Sequence, residues 1–113
     1  MTQPSRVQIF GPTSSQNIDD LLVKKSDLTG VGLTASAENT AESLFVSMLL
    51  LAGQTLTEEA RSTNIDQNIV ISAPEESITT AYLNGESRKF NVKTITIELY
   101  KQLETTTINP MLF

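Results

Sequence analysis

Cysteine, histidine and tryptophan are all missing from this chain of 113 residues, and each absence closes a class of chemistry. Without a thiol there is no disulfide, no thiolate nucleophile and no cysteine-ligated zinc or iron–sulfur centre. Without an imidazole there is no Ser-His-Asp triad, no histidine-ligated metal and no side chain that ordinarily titrates near neutrality. Only four prolines and five glycines occur, and 39% of residues are hydrophobic, so the composition is that of a globular domain able to bury a core. The longest apolar run, Leu44 to Ala52, is interrupted by Ser47 and is about half the roughly 20 residues that a membrane helix needs. Residues 1 to 12 lack the basic start, apolar stretch and cleavage site of a signal peptide.

Positive charge is also scarce, with eight bases against thirteen acids. A net charge of −5 opposes the phosphate contacts of nucleic-acid binding and the attraction of basic patches to anionic lipid, so neither partner is expected. The charge is uneven. Between residues 38 and 76 seven acids face Arg61 alone, whereas Arg88, Lys89, Lys93 and Lys101 outnumber Glu86 and Glu98 between residues 86 and 101. Such surfaces can steer one copy of a chain towards another.

Pro4, Gly11 and Pro12 bracket Val7, Ile9 and Phe10, a pattern that reads as an extended arm over residues 1–12. Residues 13–103 read as one β-rich domain. Asn17 as an N-cap, with Ile18, Leu21, Leu22 and Lys25 at helical spacing, predicts a short helix from Ile18 to Lys25. The alternation of Val31, Leu33 and Ala35 with Gly30, Gly32 and Thr34 predicts a strand. Asn39 or Thr40 is positioned to cap a helix through Ala52 with Gly53 as its stop, although the same apolar run also fits a buried strand. Thr55 and Glu58 have capping-box spacing for a helical turn through Arg61. Ile69, Val70 and Ile71, closed by Pro74, predict a strand. Asn84-Gly85 predicts a hairpin between Ile78–Leu83 and Glu86–Tyr100, with a bulge near Lys93 and Thr94. The expected fold is α+β and β-rich, a small antiparallel sandwich or barrel-like domain with one or two short helices and arms at both ends. The second arm, residues 104–113, carries Thr105, Thr106 and Thr107, then Ile108, Met111, Leu112 and Phe113.

Several constellations imitate functional motifs. Gly30-Val31-Gly32-Leu33-Thr34-Ala35 has the glycine spacing of a dinucleotide-binding turn, but no buried strand precedes it. Asn64, Asp66, Asn68, Val70, Ser72 and Glu75 match calcium-loop spacing, but Ile69 stands where the sharp turn needs glycine. The acid pairs Asp19-Asp20, Glu58-Glu59 and Glu75-Glu76 are adjacent in sequence, whereas catalytic carboxylates face each other across a cleft. Tyr82, Tyr100 and Phe90 could form a stacking platform for a sugar or base, against the simpler reading of core and cross-strand partners. No cofactor, metal or catalytic residue is therefore expected.

Fifteen threonines and eleven serines suit static, hydrogen-bonded contacts. Val7, Ile9 and Phe10 at one end, and Ile108, Met111, Leu112 and Phe113 at the other, expose apolar side chains unless they dock. These seven residues are the expected assembly interface. The sequence thus reads as a non-enzymatic structural subunit that binds other copies of itself and other assembly proteins, as in a virion capsid, cement, neck or tail or in a cytoplasmic assembly. The alternative is a small binding module for a carbohydrate or peptide.

Overall fold

The computed structural model describes residues 2–101 and 108–113 of an α+β chain. Three helices and three antiparallel pairs of strands are joined in one run, with helix and strand in comparable shares and no closed barrel. The residues expected to form an N-terminal extended arm instead form helix α1, Arg6–Phe10. Its start is a capping box: Ser5 accepts from the Gln8 amide, and the Gln8 side chain accepts from the Ser5 amide. Pro4 lies just before the cap, where a missing amide costs the helix nothing. Gly11 ends it at φ 110°, packed so closely on Asp27 that a Cβ would approach the carboxylate oxygen to 2.5 Å.

Where a helix is predicted over Ile18–Lys25, the chain makes a miniature hairpin, β1 (Ser15–Gln16) with β2 (Leu21–Leu22). Asn17 acts here as a turn residue, its side-chain oxygen accepting from the amides of Asp19 and Asp20, an alternative that asparagine offers the backbone as readily as a helix cap. The strand expected over Thr29–Ser36 is also replaced. Lys25–Val31 is a 3₁₀ helix, and Gly32 at φ 108° closes it with its amide on the carbonyls of Leu28 and Thr29. The glycine alternation in this segment thus reports a left-handed cap, with Leu28 and Leu33 buried on either side of it.

Helix α2, Ala41–Thr55, begins where expected: the Thr40 side chain accepts from the Ser43 amide. It runs through Gly53, which faces Ile71 of β3 and does not stop the helix. Helix α1 packs on α2, and the Thr55 hydroxyl ties them by donating to the Gln8 carbonyl at 3.1 Å. Helix α3, Glu58–Ser62, is capped by Thr57 rather than by Thr55. Strand β3, Ile69–Ile71, pairs with β6, Ile97–Leu99, and carries Val70, the most buried apolar residue.

Gln67, 1% exposed, closes this small core with a polar clamp. Its amide nitrogen donates at 2.9 Å to the carbonyls of both Thr57 and Ile69, joining the start of α3 to β3. Arg61 donates to the Gln67 carbonyl and lies 3.8 Å over the Tyr100 ring.

The Asn84-Gly85 turn forms as predicted, with φ of 51° and 78° that fit a type I′ hairpin. It joins β4, Glu75–Leu83, to β5, Glu86–Thr94. No bulge reconciles β5 with the rest of the arm. The chain instead leaves the hairpin after Thr94 and enters β6 on a different sheet, which is why the apolar phase changes there.

Replacing Gln67 with Leu removes both clamp bonds and takes the donor from the Ile69 carbonyl, whereas the Thr57 carbonyl keeps the Arg61 amide. A loss of about 1–3 kcal/mol in unfolding free energy is expected by urea titration.

Candidate assembly interface

Among the described residues, no other element packs extensively against the β4–β5 hairpin. Nine residues per strand give it a length of about 30 Å, and two-stranded hairpins are marginal in water unless a third layer covers them. Its register sorts the side chains into two faces. Ala81, Leu83, Phe90 and Val92 share one face with Arg88, while Ile78, Tyr82, Lys89 and Lys93 share the other. Leu83, Phe90 and Val92 are 51%, 39% and 36% exposed. Two ion pairs lie on the hairpin, Arg88–Glu86 at 3.0 Å within β5 and Lys93–Glu76 at 3.4 Å across the strands; both are solvated and contribute little to stability.

A second open apolar surface lies along α2. One groove of about 530 Å³ is lined by Val31, Leu49, Leu50, Ile71, Pro74 and Ile95, with Glu58 at its margin. A second, of about 550 Å³, shares Val31 and Leu50 in its lining and adds Leu33, Val46 and Glu42. Neither groove has a basic residue in its lining.

The sequence-predicted interface residues divide. Ile108 and Met111 are exposed at 76% and 86%, and Val7 is partly so. Ile9, Phe10, Leu112 and Phe113 are half-buried within the chain itself. Ile9 and Phe113 meet in one groove of about 210 Å³ beside Leu56 and Ile69, so the two ends converge. Lys101 reinforces the contact by donating to the Leu112 carbonyl at 3.2 Å. The three threonines at 105–107 lie outside the described residues.

The other constellations do not gather. Tyr82 and Phe90 stand on opposite faces of the hairpin and Tyr100 is under Arg61, so they make no common platform. In the calcium-like segment Val70 is strand-paired with Glu98, and the Asn68 carbonyl accepts from the Tyr100 amide at 2.7 Å. Among the described residues no three acidic side chains cluster as metal ligands, and no helix is long and apolar enough to cross a membrane. Comparison with protein-family models, curated proteins and solved structures finds no match to the chain.

Sequence reasoning identified the hairpin but missed that it stands alone. The signal was present: a two-layer hairpin needs one strongly apolar face, and Thr79, Thr80 and Ser77 leave β4 without one. Leu83→Ser and Val92→Ser are expected to change the unfolding free energy of the dilute protein by less than about 0.5 kcal/mol, whereas Leu56→Ala, at a buried site, costs about 2–5 kcal/mol.

Proposed function

We propose that this chain is a non-enzymatic structural subunit of a homomeric assembly, of the kind that builds a virion capsid, cement layer, neck or tail. The observation that carries the reading is unclosed surface. The accessible area is 8745 Å², whereas a folded monomer of this mass exposes about 6,100 Å². The radius of gyration is 17.1 Å, against about 13 Å for a compact chain of this length. Large apolar side chains stand exposed on separate elements, Phe45 on α2, Ile78 and Tyr82 on the hairpin and Met111 near the C-terminus, and apolar exposure beyond that of an ordinary monomer marks interaction surfaces. The sandwich expected from the sequence then belongs to the assembly: neighbouring subunits supply the second layer that each hairpin lacks. Ile108 and Met111 are the terminal side chains left for a neighbour, while Ile9 and Phe113 hold the ends in place. Missing thiols and imidazoles suit a static joint, and the acidic balance favours protein over nucleic acid or lipid as partner.

Light scattering on the untagged chain tests this directly. A mass above 12.4 kDa that grows with concentration is expected, and a monomer up to about millimolar protein, the weak limit of specific affinity, contradicts it. Ile108→Ser with Met111→Ser is expected to weaken association about tenfold, or roughly 1.4 kcal/mol, with an unchanged circular dichroism spectrum.

A further inference from the structure

We infer that β4 is a joining edge of the subunit: the hairpins of two copies pair antiparallel through β4, about a two-fold axis at Thr79, into one four-stranded sheet. The inference rests on the assembly reading and names its contact.

Across the two-residue turn the closing pair Leu83–Glu86 is hydrogen-bonded, and bonding recurs at every second pair back to Glu75–Thr94. The amides and carbonyls of Glu76, Ile78, Thr80 and Tyr82 therefore point away from β5. Among the described residues no backbone bond from another element reaches them, and all four residues are exposed. A second β4 running the opposite way and centred on Thr79 sets Glu76 against Tyr82, and Ile78 against Thr80, of the other copy. Every one of these outward groups then finds a mate.

Side chains decide between the two edges of the hairpin. The outward positions of β5 include Lys89 and Lys93, and lysine commonly blunts a free edge. Pairing β5 with β5 would line the seam with four lysines. Strand β4 has no lysine, arginine, proline or glycine and is uncharged from Ser77 to Leu83. Its two acids, Glu75 and Glu76, lie at one end, so antiparallel pairing sets them against the uncharged tip of the other copy, whereas parallel pairing sets acid against acid. Ile78, 78% exposed, comes diagonal to Ile78 and Tyr82 of the other copy, within reach of large side chains.

Shape disfavours the remaining antiparallel arrangement, β4 against β5 of the next copy. It points both hairpins the same way at a repeat of about 10 Å, two strand spacings, whereas the chain is 26 Å across its smallest dimension. Pairing through β4 alone points the hairpins in opposite directions and puts the two bodies at opposite ends. Lys89 and Lys93 then border the sheet on both sides and end it at four strands. The contact is one patch meeting itself, the commonest symmetry of homomeric assemblies.

The absence of cysteine gives a direct test. Thr79→Cys puts a single thiol at the axis, where opposed Cα atoms of a pair without mutual hydrogen bonds lie about 4.5 Å apart, within disulfide reach. Under mild oxidation it is expected to form a disulfide dimer several-fold faster than Asn91→Cys, whose thiol lies on the β5 edge. Tyr82→Glu opposes Glu76 of the other copy and should dimerise about tenfold more weakly than Tyr82→Lys, which meets Glu76 as an opposite charge. Ile18→Glu, away from the hairpin and 99% exposed, controls for net charge and should dimerise like the parent. A parent chain that assembles by light scattering, while Thr79→Cys cross-links no faster than Asn91→Cys or Tyr82→Glu and Tyr82→Lys dimerise alike, overturns the β4 contact and leaves the assembly reading intact. Failure of the parent chain to assemble at all overturns both.

Discussion

The structure depends on a shortage of internal apolar contact. Leu28, Leu33, Leu56 and Val70 are the buried apolar residues of the described chain, each contributing about 1.5–3 kcal/mol by leaving water. That is a small core for a domain of this length, and polar devices extend it. Gln67 clamps α3 to β3, Thr55 holds α1 to α2, and Thr13 donates to Asp27 at 2.6 Å to fix the loop over the 3₁₀ helix. Each such bond adds only about a kilocalorie, so the fold is held but not closed.

That shortage explains why the exposed elements are where they are. A chain with all its large side chains spent on one core has no reason to extend an unsupported hairpin. Here Leu49, Leu50 and Val46 line open grooves along α2, and the hairpin leaves apolar side chains exposed on both faces. On the proposed assembly reading, the same exposed residues supply the area that association would remove from water.

Parts of this were legible in the sequence because one local signal dominated. Asn84-Gly85 gave the hairpin and consecutive β-branched residues gave β3, whereas the apolar run after Asn39 and Thr40 fitted a helix and a buried strand alike and only the structure resolves it as α2. Misreadings arose where one residue type serves two local structures. Asn17 fits a helix cap and an Asx turn equally, and Gly32 fits both a strand interior and a left-handed helix cap. Helix α1 was hidden because Pro4 and Gly11, usual signs of extended chain, also flank a helix at its start and end. Gln67 carried no pattern at all, since its role lies in carbonyls from Thr57 and Ile69 on different elements. The termini were visible as apolar tips, but the groove that Ile9 and Phe113 line together joins opposite ends of the chain and has no local signature.

Hydrogen exchange of the hairpin amides as a function of protein concentration tests most directly whether copies of the chain close its surface. The account predicts fast exchange over residues 76–93 in dilute solution, where the hairpin stands alone, and strong protection there on concentration. Exchange over this segment that is the same at every concentration would contradict it.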